Sequence, residues 1–265
     1  MILLVFEGQV GEPKVMATLQ HLYFSDAANH LLCSYGTDTY TLWKDVKRHD
    51  LDGEADVFAI VKERLHSRGD YSLDQYSSYQ IESVYLFFDY DPQNNTIPPE
   101  LLNQAIDEMV ALFDDPMDKG KIFISYPMLE GLFCLNTIPD ATFFNSVVSL
   151  ADCHGFKGWC QQFFYRKNPE LLIYKTDRDG SIIGDPSAQK KELLEKWNAL
   201  VVMTAVKANL ICHGALAAPD NVEDISQKDI FRHQINDYVI PNACISILSA
   251  FPLFLFDYFH GNGIV

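Results

Sequence analysis

Acidic residues follow two apolar runs of the sequence, at positions where they could bind a metal ion. The run at residues 2–6 ends in Glu7, and the run at residues 84–88 ends in Asp89 and Asp91. Short uncharged runs of this kind are typical of strands buried on both faces of a parallel sheet. Functional groups gather beyond the carboxyl ends of such strands, and carboxylate oxygens are the ligands that Mg²⁺ prefers. We therefore expect Glu7, Asp89 and Asp91 to converge at one sheet edge and to hold magnesium.

Two further acids extend this set, and each acid also has a purely structural explanation. Glu12 opens the helix predicted after the first strand, and Glu130 follows the strand predicted at residues 121–125. An Asp-x-Asp sequence before Pro92 is also common in turns. A glutamate in the first turn of a helix is favoured by the helix dipole, and Glu130 could cap a helix or face solvent. The argument for a site therefore rests on the combination, because clustered carboxylates repel one another unless a cation or a proton joins them.

The elements that would position these acids form an alternating pattern in the first half of the chain. Strands are predicted at residues 2–6, 31–35, 84–88 and 121–125, and helices at about 12–22, 40–47, 55–66 and 98–113. Farther along, helical periodicity predicts helices at 143–153, 158–166, 187–212, 229–240 and 244–259, the longest with Ser187 as its N-cap. We expect an α/β fold: a mostly parallel sheet flanked by helices in residues 1–140, with a helical C-terminal region in residues 141–265 packed on it.

The net charge of −16 is concentrated in the first part of the chain. Residues 1–150 contain 23 acidic and 9 basic residues, whereas residues 151–265 contain 13 and 11. Nucleic-acid-binding proteins are usually basic. The acidic half therefore repels nucleic acid, uses some of its carboxylates on divalent cations, or docks on a basic partner protein.

A basic segment interleaved with aromatic residues offers a candidate substrate surface. Lys157, Arg166 and Lys167 could neutralise phosphates while a neighbouring aromatic ring stacks on a base. The alternative is that these aromatic residues belong to a helix core and that the bases form its solvated face.

The apolar run at residues 245–256 is too short to span a bilayer, and it suits either a buried helix or an interface. We expect no membrane association, and either a homo-oligomer or a complex with a protein partner. The six cysteines lack CxxC spacing, which is typical of free thiols in a reducing cytoplasm and predicts a cytoplasmic location.

Three segments resemble motifs of the Toprim superfamily. LLVFEGQVGEPKVM resembles the first motif, a strand that ends in Glu-Gly and leads into a helix, and VYLFFDYD resembles the second, a strand that ends in Asp-x-Asp. ISYPMLEGL is similar to the segment after the next strand in RloB-like members. These are compact Toprim proteins related to the nuclease half of OLD-family proteins, and they occur in bacterial phage-defence systems. The resemblance covers about residues 1–135.

The resemblance implies a Toprim-like fold with a site for Mg²⁺ or Mn²⁺. Glu7 would act as an acid–base residue or a metal ligand. Gly11 departs from the pattern, because many members have Asp there, and Glu12 would have to take over its role. The implied catalytic residues are Glu7, Glu12, Asp89 and Asp91, and the implied metal ligands are the same four together with Glu130.

The acids and the resemblance together predict a nuclease. It would hydrolyse phosphodiester bonds of DNA, or of an RNA such as tRNA, as an effector of anti-phage defence. The alternative is a catalytically inert Toprim-like module that binds a partner such as a defence ATPase or sensor. A phosphatase with Asp89 as its nucleophile is a third hypothesis, disfavoured because the Asp-x-Asp strand is the third in the chain.

Overall fold

The computed structural model describes residues 1–24, 27–49, 55–93, 97–160, 172–175 and 182–259. A five-stranded sheet lies at its centre and contains β1 (Ile2–Phe6), β2 (His30–Ser34), β3 (Ser83–Asp89), β4 (Asp114–Asp115) and β5 (Gly120–Ser125). The strand order is β2-β1-β3-β5-β4, and every pairing is parallel except that of the short β4 with β5. The carboxyl ends of the four parallel strands therefore meet at one edge.

Helices connect the strands and cover the sheet. In the first part of the chain these are α1 (Gly11–Tyr23), α2 (Thr39–His49), α3 (Val57–Ser67) and α4 (Pro99–Leu112). The second part contains α5 (Cys153–Cys160), α6 (Pro186–His213), α7 (Gln227–His233) and α8 (Ala250–Tyr258), and α7 continues through a π-helical turn, Gln234–Val239. The predicted α/β fold, with a mostly parallel sheet flanked by helices and a helical C-terminal region, is confirmed.

The central strand β3 is apolar along its length because both of its faces are covered. On one face the Phe87 ring stacks on Phe251 of α8, with ring centroids 4.9 Å apart. On the other face the Phe88 ring meets Tyr35 edge-on at 5.9 Å. Successive side chains of a strand point to opposite faces, so a strand buried on both faces needs an uninterrupted apolar run.

The apolar run at residues 245–256 lies inside the protein. Phe251, Leu253 and Phe254 of α8 are almost fully buried, and the Phe254 ring contacts Tyr85 at 5.0 Å. Of the two alternatives left by the sequence, the buried helix therefore accounts for this run. Within the described part of the chain, no helix combines the length and the apolarity that crossing a bilayer requires.

Several element bounds in the second part differ from the sequence-based prediction. Residues 143–153 do not form a helix, because a short 3₁₀ helix, Ala141–Asn145, is followed by the strand β6 (Val147–Ser149). The helix predicted at 244–259 begins instead with β7 (Cys244–Ser246), which pairs antiparallel with β6. The β-branched residues of β6 favour a strand once a partner is present, and that partner is too distant in sequence for local periodicity to reveal.

The ends of α5 and α6 also differ from the prediction. The N-cap of α6 is Asp185, whose carboxylate accepts the N–H groups of Ser187 at 2.9 Å and of Ala188 at 3.3 Å. The predicted cap, Ser187, is already inside the helix, because Pro186 occupies the first helical position, where its missing N–H costs nothing. The helix predicted at 158–166 coincides with α5 only as far as Cys160, and residues 161–171 lie outside the described part.

Candidate functional site

Glu7 and Asp89 meet at the carboxyl edge of two adjacent parallel strands. The Glu7 N–H donates to the Phe87 carbonyl at 2.9 Å, which extends the β1–β3 ladder past the end of β1. The Asp89 N–H in turn donates to the Glu7 carboxylate oxygen Oε2 at 3.0 Å. The pairing of the two strands thus places both acids in one cluster.

Glu12 reaches the same cluster from the first turn of α1. Its side chain is buried, with 8% of the residue exposed. Its Oε1 accepts the N–H of Gly8 at 3.1 Å. A Cβ atom at Gly8 would overlap both carboxylate oxygens of Glu12, so the glycine permits this close approach of side chain and backbone.

Glu130 and Lys157 complete the cluster from two other segments. Glu130 lies on the short 3₁₀ helix Leu129–Phe133 that follows β5, and it is 7% exposed. Lys157 lies on α5, and its Nζ is 3.1 Å from Glu130 Oε1. We name the set Glu7, Glu12, Asp89, Glu130 and Lys157 the acidic cluster.

Burial, together with the repulsion between neighbouring carboxylates, disfavours the charged forms of the acids in the cluster. Burial, with a smaller contribution from neighbouring carboxylates, raises the pKa of Glu7 to about 8. Burial and the charge of Glu7 also raise the pKa of Asp89 well above its usual range. Burial raises the pKa of Glu12, with Glu130 adding to the effect and Lys157 opposing it. Near neutral pH, at least one proton is therefore shared within the metal-free cluster.

The negative charges of the cluster stabilise the charged form of Lys157. The charge of Glu130, followed by those of Glu12 and Asp89, raises the pKa of the Lys157 ammonium. The ammonium therefore stays charged at neutral pH and offsets part of the negative charge. Lys157, which the sequence suggested as a substrate contact, lies within the acidic cluster rather than on a separate basic surface. Arg166 and Lys167 lie outside the described residues.

Asp91 and Asp38 border the cluster. One carboxylate oxygen of Asp91 accepts the Gln93 N–H at 3.1 Å, an arrangement typical of a turn. The negative charges of both aspartates nonetheless contribute to the raised pKa of Glu7. Asp38 was missed from the sequence because it precedes α2 and was not linked to the end of β2. The signal was present, since β2 ends at the same sheet edge as β1 and β3.

The donor chemistry of the cluster suits Mg²⁺ or Mn²⁺, because its acids offer only hard carboxylate oxygens. Buried carboxylates that raise one another's pKa also carry an excess of negative charge, which a bound cation would neutralise. In the arrangement described, however, each of three acids is already engaged: Glu7 and Glu12 by backbone N–H groups, and Glu130 by Lys157. Across the described ranges, no three His, Cys, Asp or Glu side chains are grouped so that they could hold a metal ion.

A cleft of about 500 Å³ lies at the opposite end of the strands, away from the acidic cluster. It is lined by Tyr85 and Phe123 and by an ion pair in which Lys121 Nζ is 2.5 Å from Asp257 Oδ1. Asp114 and Glu223 also line this cleft, but it lies at the amino ends of the strands. Functional groups gather beyond the carboxyl ends of parallel strands, so we assign the candidate chemistry to the acidic cluster instead.

The fold and the cluster together define an α/β protein with a carboxylate site at the carboxyl edge of its parallel sheet. Comparison with known proteins gave no match, whether to a protein-family model, to a curated protein or to a solved structure.

Proposed function

We propose that the protein is a divalent-metal-dependent nuclease that hydrolyses phosphodiester bonds. The observation that carries the proposal is the convergence of Glu7, Glu12, Asp89 and Glu130 at the carboxyl edge of adjacent parallel strands. In open parallel sheets this edge is where ligands bind and reactions occur. Four acids in so small a space raise the energy of the protein unless a cation or protons compensate, and a functional cation site explains why such a cluster is present.

Glu7, Glu12, Asp89 and Glu130 would hold Mg²⁺ or Mn²⁺, with Asp91 at the border, once their carboxylates turn from the arrangement described, in which no three are grouped to hold an ion. A bound divalent ion supplies neutralisation of the phosphate charge and a lowered pKa for bound water. Glu7 would act either as one of these metal ligands or as an acid–base residue, and in the metal-free cluster burial raises its pKa to about 8. Asp89 fixes the orientation of Glu7 through its backbone N–H.

The resemblance of the strand-end motifs to Toprim proteins narrows the proposal. It supports a Toprim-like fold for the first part of the chain and a role in bacterial phage defence, in the cytoplasm. DNA, or an RNA such as tRNA, would be the substrate. Lys157, Arg166 and Lys167 would contact its phosphates, since the net charge of the first part repels nucleic acid. A defence ATPase, a sensor or a second copy of the chain would be the partner.

Cleavage assays test this proposal. Single- and double-stranded DNA, RNA and tRNA are incubated with the protein in Mg²⁺, Mn²⁺ or EDTA, and the products are resolved on denaturing gels. We expect cleavage only with a divalent ion, and a loss of about 100-fold or more in Glu7→Gln and Asp89→Asn. The exposed Glu195 provides a control, because Glu195→Gln makes the same chemical change outside the cluster. Metal-independent cleavage, or equal cleavage by all four proteins, would refute the proposal.

A second candidate is an inert module that binds a partner through its acidic face. The engagement of Glu7, Glu12 and Glu130 by internal donors favours it, because such a cluster can persist without a metal. This candidate predicts no cleavage of any substrate, and binding to a basic protein surface that weakens steeply with salt. A chromogenic phosphate ester is included in the same assays, because its hydrolysis would indicate the phosphatase alternative rather than a nuclease.

A further inference from the structure

The side-chain cation that the structure places in the acidic cluster comes from a distant part of the chain. The Nζ of Lys157 is 3.1 Å from Glu130 Oε1, and its charge also interacts with Glu12 and Asp89. The pair is asymmetric, because the Lys157 side chain is 65% exposed whereas that of Glu130 is 9% exposed. The lysine therefore reaches from solvent into a carboxylate site whose acids are largely buried.

The donors that engage the acids differ in how easily they can leave. The N–H groups of Asp89 and Gly8 belong to the backbone, and moving them would distort the end of β3 or the turn before α1. The ammonium of Lys157 is the end of a flexible side chain, and rotation of that side chain into solvent breaks no backbone contact. A divalent cation needs several carboxylate oxygens at once, and Lys157 is the donor that can yield one to it.

We propose that Lys157 is a built-in counter-ion that holds Glu130 in the metal-free protein and is displaced when a divalent cation binds. The proposal deepens the proposed function and rests on it, because it concerns the regulation of the same site. Lys157 and the metal ion compete for Glu130, so the lysine lowers the affinity for metal and protects the cluster when metal is absent. A simple substrate contact would do neither.

Metal affinity measured without substrate tests the competition directly. Binding of Mn²⁺ is followed by the loss of its free-ion electron paramagnetic resonance signal, in the wild type and in Lys157→Met, which keeps an unbranched side chain but removes the charge. We expect Mn²⁺ to bind about two- to fivefold more tightly to Lys157→Met, the range expected for removal of a solvent-accessible ion pair. Lys47→Met is the matched control, because it removes a lysine that pairs with Glu108 at 2.8 Å instead.

Thermal stability supplies a second readout, in which Lys157→Met should weaken the metal-free protein although it strengthens metal binding. In EDTA, Lys157→Met should melt at a lower temperature than the wild type, because Glu130 loses its counter-charge. In excess Mn²⁺ the difference should shrink, so the metal-induced rise in melting temperature is larger in the variant. In a Glu130→Gln background the effect of Lys157→Met on both quantities should be smaller, since the carboxylate for which the two cations compete is gone and only the weaker interactions of Lys157 with Glu12 and Asp89 remain.

The possible results separate this inference from the proposed function. Equal or weaker Mn²⁺ binding by Lys157→Met, in a protein that does bind Mn²⁺, overturns the counter-ion and leaves the metal site standing. An effect of Lys157→Met that is undiminished in the Glu130→Gln background overturns it as well. Absence of Mn²⁺ binding in both the wild type and Lys157→Met overturns the metal site and the competition together.

Discussion

Replacing Glu7 with Gln should make the metal-free protein more stable at pH 8, although it removes a hydrogen-bonded acid. Burial raises the pKa of Glu7 from its usual 4.5 to about 8. Between these two pH values the folded protein holds a proton that the unfolded chain releases, so the unfolding free energy falls as pH rises. The slope is about 1.4 kcal/mol per pH unit, which gives an upper limit of roughly 5 kcal/mol at pH 8.

Because Glu7 keeps some exposed surface, solvent screening reduces this limit, and we expect a difference of about 2–3 kcal/mol. The side chain of Gln in Glu7→Gln can still accept the Asp89 N–H, so the hydrogen bond is preserved while the charge is lost. The assay is urea unfolding in EDTA at pH 5, 6, 7 and 8, reported as the difference between wild type and variant. Other titrating groups contribute to both proteins and cancel in the difference to first order.

The expected result is a difference that is small at pH 5 and grows steadily in favour of Glu7→Gln up to pH 8. The exposed control Glu195→Gln should show no such trend. Parallel pH profiles for the wild type and Glu7→Gln would refute the reasoning, because they would mean that Glu7 titrates in the folded protein as it does in the unfolded chain.

Two other predictions concern packing and a buried lysine. Lys207 on α6 is fully buried, and its Nζ donates to the carbonyls of Phe143 and Ser146 at 2.7 and 2.9 Å. Burial lowers its pKa to about 7 from 10.5, so above pH 7 the unfolded chain binds a proton that the folded protein does not. The contribution of Lys207 to stability, measured by urea unfolding as the difference between wild type and Lys207→Met, should therefore rise by up to about 1.4 kcal/mol per pH unit between pH 7 and 9. A Cβ at Gly11 would lie 2.5 Å from Leu129 Cδ2, so Gly11→Ala should cost about 1–3 kcal/mol in the same assay, whereas Gly158→Ala, with open space around it, should be neutral or stabilising.

The sheet could be predicted from the sequence because its central strands carry their own signal. β1 and β3 are buried on both faces, so their sequences are uninterrupted apolar runs that end abruptly at an acid. The pairing of β6 with β7 could not be predicted, because Val148 and Ile245 are partners across nearly a hundred residues. Local periodicity reports which face of a segment is buried, but not what buries it.

In the site, too, the contacts set by strand ends could be predicted from the sequence, whereas a contact between distant segments could not. The convergence of Glu7 and Asp89 follows from strand ends and parallel pairing, both of which the sequence predicts. The pairing of Lys157 with Glu130 depends instead on how α5 packs against the 3₁₀ helix after β5, and no motif or spacing reports that contact. The sequence singled out Lys157 as a possible phosphate contact, which stays a prediction, but it could not predict the residues that surround Lys157.

The packing at Gly11 concerns a position where the sequence differs from the Toprim motif that it resembles. A side chain at position 11 would overlap Leu129, the residue directly before Glu130. The terminal Cδ2 methyl of Leu129, on the 3₁₀ helix that brings Glu130 into the acidic cluster, thus occupies space that a side chain at position 11 would need. Glu12 and Glu130, which flank that contact in sequence, both reach the cluster. An acid at position 11 would therefore require the Leu129 side chain to move.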